Sequence, residues 1–476
     1  MSNQYARIQP TDHIRRAVLA VSVAAFVLIA IPVVWRGAPL ADDFNNCVAP
    51  VELGFGGFMA ASWHLLGAIR PARFLEILVT GSICRSLPFG VAIIVSLIVT
   101  LAVAWQVHGL LRDLGVPQSW ADVGAALWLL QPLGTEAGLW PAALHVPLGL
   151  LLAVAAVRLY YRGRLGWAAA ANVAAALSVE QIILPLPLGV WLVAAAGQRR
   201  RAAAISAVIG VLVIATFFMW PGANPRLRTG GLERLAGLVE NPTFYVGFPA
   251  VGLGLHSIPL AVVWAFPWSV AILAAGAILG WWIGPRLAAA SRPVSTGDQV
   301  RGLTAFAAIV ALANVVVVLA VPQQGSPRVF APTWLVLAIG GAWAGACTDW
   351  RRPKVLGVCS AVFAAGAMLS LALSASVRLR SADFTARATR VVAARVPEGG
   401  RVAVCQVRRT VVEPAPRGAY AVHEFVYDWA AERALQYYTG RHATIYLAGD
   451  LWDNPCPPSK DVDAVIRFDE LLAAHP

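Results

Sequence analysis

The sequence predicts a polytopic α-helical membrane protein of about eleven transmembrane helices, followed by a small extracytoplasmic α/β domain. Three observations lead there. Hydrophobic residues make up 58% of the 476 and charged residues only 13%, with a mean hydropathy of +0.67, whereas soluble domains carry roughly 25% charged residues. The apolar residues fall in runs long enough to cross a bilayer, bounded by arginine clusters. From about residue 379 the composition becomes that of a soluble domain. The formal charge of +12 could indicate nucleic acid, but the arginines lie mostly in short loops between apolar runs, where topology explains them. The bilayer is the expected partner and nucleic acid is not. Lysine occurs only at 354 and 460 while alanine abounds, a GC-rich coding bias of bacterial type, which makes the cell (inner) membrane the expected location.

The apolar runs lie near 16–35, 87–110, 119–135, 141–161, 165–179, 181–197, 202–220, 255–284, 302–321, 331–348 and 355–377. The first has no small-residue cleavage site and is long enough to span, so it reads as a retained helix. Arg15 and Arg16 precede it and place the N-terminus in the cytoplasm. Alternating the ends then puts Arg112, the group Arg158, Arg162 and Arg164, the run Arg199 to Arg201, the group Arg286, Arg292 and Arg301, and Arg351, Arg352 and Lys354 on the cytoplasmic side. The stretch 165–197 holds only two short helices turning near Glu180, and 75–86 reads as a lead-in to the second span.

The transmembrane part therefore covers 1–378, with outer loops at 36–86, 221–254 and 322–330, and the soluble part covers 379–476. Phe55 to Leu66 reads as an amphipathic segment lying in the interface. The Gly- and Pro-rich 221–254 reads as a mobile loop able to close over a site. In the soluble part, Arg401–Cys405 and Ala443–Leu447 read as strands around a helix at Tyr427–Tyr438. An oxidising compartment permits disulfides between Cys405 and Cys456 and between Cys47 and Cys84, though spacing proves neither; Cys347 and Cys359 read as packing residues.

The residues most suited to chemistry are Asp42 and Asp43, a carboxylate pair just beyond the first span on its outer side. Such a pair either solvates its loop or serves as a general base. Glu136 and Glu180 stand at outer helix ends, are costly to leave against lipid, and so are expected to face a cavity. Arg70, Arg73 and Arg328 oppose the positive-inside trend, which requires another partner for them. Headgroup anchoring is one; a phosphate, which a guanidinium binds through two parallel hydrogen bonds, is the other. Trp140 and His145 flank a span start, where an interfacial tryptophan is commonly a belt residue. His64 and His145 with the acids leave a divalent ion open, yet no H-x-x-x-H spacing supports one, and no cofactor is expected.

In combination these residues resemble the GT-C superfamily of integral-membrane glycosyltransferases that use polyprenyl-phosphate sugars. The acidic pair after the first helix matches its signature. The Arg70-Pro71 segment, the Ser178-Val179-Glu180 turn, the stretch Arg328-Val329-Phe330-Ala331-Pro332 and the outer C-terminal domain are similar in order and sidedness. The resemblance implies transfer of a sugar from a lipid-phosphate donor to an acceptor hydroxyl of a glycan, lipid or protein on the outer face. Asp42 or Asp43 would be catalytic, Arg328, Arg70 and Arg73 would hold the donor phosphate, and Glu136, Glu180, Trp140, His145 and His64 would line the substrate site. A transporter or lipid flippase is the rival from another class and predicts ionisable residues within the spans, where few occur. A non-catalytic partner of a glycan assembly complex is the third reading.

Overall fold

The computed structural model describes residues 11–37, 39, 42–54, 56–58, 60, 71–131, 138–194, 197–219, 268–292, 295–320, 331–407, 428–449 and 455–473. Its main helices are α1 (Thr11–Arg36), α2 (Asp42–Glu52), α3 (Pro71–Ser86), α4 (Gly90–Asp113), α5 (Gln118–Leu129), α6 (His145–Tyr161), α7 (Leu165–Ala176), α8 (Pro185–Val193), α9 (Arg199–Met219), α10 (Trp268–Ala290), α11 (Thr296–Ala320), α12 (Ala331–Cys347) and α13 (Pro353–Arg395). Beyond them follow β1 (Arg401–Cys405), α14 (Asp428–Thr439), β2 (Thr444–Leu447), β3 (Ala464–Arg467) and α15 (Phe468–Ala473).

This is a helical membrane protein, but the expected count of eleven spans does not hold. Among the described residues four helical stretches are long and apolar enough to cross: Val18–Arg36, Gly90–Asp113, Ser269–Ala290 and Pro353–Arg395. Hydropathy counts apolar residues, whereas crossing needs an unbroken helix of roughly 20 residues. The runs at 119–135, 165–179 and 181–197 instead hold α5, α7 and α8, of 12, 12 and 9 residues. At 1.5 Å per residue a 12-residue helix covers about 18 Å of a hydrocarbon core of about 30 Å. Pro185, at the first position of α8, has no backbone N–H to continue a helix through the turn near Glu180.

One buried core joins these helices, with Phe26 from α1, Ile93 and Leu111 from α4, Trp128 from α5, Leu150 from α6, Trp334 from α12 and Leu371 from α13. Its tryptophans keep their indole N–H groups paired, since an unpaired donor there would cost free energy. Trp128 Nε1 donates to Thr100 O at 3.1 Å and Trp334 Nε1 to Leu127 O at 2.7 Å. Helices α10 and α13 cross closely enough that a methyl group added at Gly280 or Gly284 would overlap the backbone of Gly357 and Pro353. Apolar side chains gain little by leaving lipid for protein, so close backbone approach between small residues holds such pairs. Gly280→Leu should separate them and lower stability by roughly 1–3 kcal/mol. Thermal unfolding in detergent measures this, and an unchanged midpoint would disprove the close crossing.

Helix α13, 43 residues long, runs without a break through the boundary placed at 378 and carries the chain into the α/β part. The sheet there is fully parallel in the order β2-β1-β3. Val402 and Val404 of β1 pair with Ile445 and Leu447 on one side and with Ala464 and Ile466 on the other. A parallel β1–β2 pair requires a crossover, and α14 supplies it. Both faces of β1 are buried, as its run of apolar residues predicts. Strand β3 is short and flanked by charged residues, so alternation alone does not reveal it. Cys405 and Cys456 are disulfide-bonded within this part, and Cys47 and Cys84 join α2 to α3.

Candidate functional site

Two helix starts bring the charged residues together. Asp42 and Asp43 occupy the first turn of α2, where the partial positive charge of exposed N–H groups favours carboxylates. Pro71 opens α3, a position whose N–H would go unused, and so sets Arg73 and Glu76 one turn apart on one face. The Cys47–Cys84 disulfide pins these two helices together.

The two aspartates differ. Asp43 is wholly buried: its Oδ1 accepts the Ala142 N–H at 2.8 Å and its Oδ2 lies 3.7 Å from Arg378 Nη2. Arg378, itself only 2% exposed in the middle of α13, also donates to Leu139 O at 2.9 Å. The side chain of Asp42 is 34% exposed and meets Arg73 Nη2 at 3.4 Å. Asp42 is therefore the member of the pair that a ligand can reach.

Glu76, fully buried, ties the remaining parts together. One of its oxygens pairs with Arg73, and the other takes His145 Nδ1 at 2.6 Å and lies 3.4 Å from the His145 backbone N–H at the start of α6. A carboxylate at that position both caps the helix and orients the imidazole. Arg73 also donates to Ala142 O. Burial works to lower the Arg73 pKa, but the charges of Glu76, Asp42 and Asp43 outweigh it and hold the guanidinium above its usual value. Around the cluster, Asn46, Thr80 and Ser381 are buried polar side chains without a protein partner among the described residues. Each stands within one helical turn of Asp43, Glu76 or Arg378.

Of the residues singled out by sequence, Asp42, Asp43, Arg73 and His145 come together here. Arg73 commits three N–H donors to two carboxylates and a carbonyl, and so orients Asp42. Trp140 is buried in a small apolar cluster with Ala142 and Ala143 and is not a belt residue. The backbone of Glu180 forms a short 3-10 turn whose neighbour Val179 packs against Gly149, one turn along α6 from His145. His64, Arg70, Glu136 and Arg328 lie outside the described residues. Sequence reasoning missed Glu76 and Arg378. The signal was present for both, since an acid inside Phe74-Leu75-Glu76-Ile77-Leu78 and an arginine at the end of an apolar run each demand a buried partner.

The α/β part reaches the site as well. Tyr437 and Tyr438 of α14 pack edge-on against the buried Phe44, with ring centroids 5.3 and 5.6 Å away. At the far end of α2, Glu52 binds Arg433 and Gln436, with His442 Nδ1 at 3.6 Å. Burial works to raise the Glu52 pKa, but its hydrogen bonds to Gln436 and Arg433 and the nearby cationic charges leave it lowered. A lowered carboxyl pKa adds stability that is complete above the unfolded-state value and disappears as pH falls through the folded one. Contact between α14 and α2 should therefore loosen below about pH 4, and Glu52→Gln should loosen it at pH 7. Hydrogen exchange of α14 against pH reads this out, and a flat profile in both proteins would exclude Glu52 as the latch.

Among the described residues no group of three or more His, Cys, Asp or Glu side chains is arranged to hold a metal ion. No protein-family model and no curated protein matches this chain. What the site does must follow from its residues.

Proposed function

We propose that the protein transfers a sugar from a polyprenyl-phosphate-linked donor to an acceptor hydroxyl at the outer face of the cell membrane, with Asp42 as general base. The observation that carries this reading is the division of labour in the acidic pair: Asp43 is locked by Arg378 and Ala142, while Asp42 is oriented by Arg73 and accessible. As the acceptor oxygen bonds to C1, its proton passes to Asp42, and the C1–oxygen bond to phosphate breaks with its electron pair leaving on the phosphate. That leaving group is a weak base and needs charge stabilisation rather than an acid, for which the resemblance offers Arg70 and Arg328. The helices in the bilayer would hold the polyprenyl tail beside the site.

The disulfides Cys47–Cys84 and Cys405–Cys456 favour an oxidising compartment for both α2 and the α/β part. The cluster of Asp113, Arg158 and Arg162 sits at the end of α6 opposite His145, as an arginine-rich cytoplasmic face would. On this reading the chain begins in the cytoplasm and ends outside, which takes an odd number of crossings and therefore at least one beyond the four long apolar helices, and a reporter joined to the C-terminal end should be active only outside the cell.

The decisive experiment incubates purified protein with a panel of polyprenyl-phosphate sugars and acceptors and follows release of polyprenyl phosphate with a glycosylated product. Transfer that Asp42→Asn abolishes supports the proposal. Donor movement across vesicles without transfer identifies a transporter or flippase, and inactivity in both assays leaves a non-catalytic partner.

A further inference from the structure

Helix α14 faces the acidic helix with two aromatic residues whose roles differ. The Tyr437 and Tyr438 rings stand perpendicular, 5.1 Å apart, and both lean on Phe44, the residue after Asp43. Tyr437 also packs on the core of the membrane helices, so it is fixed from both sides. Its hydroxyl makes no hydrogen bond among the described residues and is not sealed from solvent. Burial first, and the charge of Asp43 second, push its pKa up and keep it a phenol that can donate. A phenol without a protein partner among the described residues, held against the residue that follows Asp43, is disposed to donate to an incoming oxygen.

Resting on the reading of the site as a sugar transferase, we propose that Tyr437 contacts the acceptor, and that the acceptor is itself a carbohydrate. Asp42 takes the proton from the attacking hydroxyl while the Tyr437 phenol donates to a neighbouring oxygen of the same molecule. Two oxygen-directed groups on adjoining helices suit a polyol with adjacent hydroxyls. A serine or threonine side chain or a lipid alcohol offers only one. The ring of Tyr437 adds an apolar surface for the C–H face of a sugar. The donor is held by its lipid tail among the membrane helices, so a contact supplied by the α/β part falls to the acceptor.

The test compares the parent with Tyr437→Phe, which removes one oxygen and keeps the ring, in lipid nanodiscs. Steady-state transfer is measured against acceptor at saturating donor and against donor at saturating acceptor. The acceptors are an oligosaccharide, a serine-containing peptide and a long-chain alcohol. Loss of one neutral hydrogen bond should raise the acceptor KM roughly 5- to 10-fold, with donor KM unchanged. Saturation-transfer NMR with methyl glycosides of hexoses and pentoses reads binding without turnover. If the parent transfers and Tyr437→Phe matches it, or donor KM moves instead, Tyr437 is no acceptor contact while the transferase reading stands. If peptide or alcohol is the acceptor used, the carbohydrate assignment is overturned. If nothing is transferred but methyl glycosides bind the parent and bind Tyr437→Phe more weakly, the contact stands and the transferase reading fails. Neither transfer nor glycoside binding would overturn both.

Discussion

Under the proposed sugar transfer, replacing Asp42 by Asn is expected to cut turnover by about 10²- to 10⁴-fold while leaving the thermal midpoint near that of the parent. Asparagine keeps the shape of the side chain but cannot hold the acceptor proton at neutral pH. The change costs little structurally because Asp42 is 34% exposed and meets Arg73 only at 3.4 Å, and Arg73 retains Glu76. Donor binding should survive, since the lipid tail and phosphate do not depend on this carboxylate. Measuring turnover, donor affinity and melting on one preparation separates the possibilities. Ordinary turnover in Asp42→Asn would remove the general base from the mechanism, and a large fall in melting temperature would make Asp42 a structural residue.

Arg378→Met should be the most destabilising of the variants considered, at about 3–5 kcal/mol, because it leaves the wholly buried Asp43 carboxylate without its cation. Asp43→Asn should cost a comparable amount for the reciprocal reason. The double variant, in which both charges are gone, should recover a large part of the loss, since a buried ion pair replaced as a unit is often close to neutral. A double-mutant cycle from chemical or thermal unfolding gives the coupling energy. Strict additivity would mean that the 3.7 Å pair is incidental and that α13 is held in register by packing alone. Recovery of stability in the double variant without recovery of transfer would mark Asp43 as a group that aims Asp42 through the first turn of α2.

Much of the site was legible because a membrane makes charge conspicuous. Asp42, Asp43 and Arg73 stand out in a chain with 13% charged residues, and a carboxylate or guanidinium near lipid must be paired or at work. The same logic applies to Glu76 and Arg378: Arg73 stands one turn before Glu76 and is a local signal, whereas His145 for Glu76 and Asp43 for Arg378 lie far away in the chain and no local spacing discloses them. Arg73 shows the limit from the other side. Its expected outer position pointed to a phosphate, and in the structure Glu76, Asp42 and the Ala142 carbonyl take three of its N–H donors. The short strands Arg401–Cys405 and Thr444–Leu447 follow from runs of β-branched and apolar residues, whereas β3 depends on pairing with β1.

By itself the sequence determined that this is a helical membrane protein with a small α/β part beyond its apolar runs, and that an acidic pair follows the first span. These are properties of composition and local periodicity, which each segment carries without its neighbours. Tertiary structure alone decided how many helices are long enough to cross, which aspartate is sealed and which is reachable, and that α14 lies against the acidic helix. The reason is physical. Burial and pairing of a charge depend on what approaches it through space, and Arg378, Arg73 and Tyr437 reach Asp42 and Asp43 only once α13, α3 and α14 have packed.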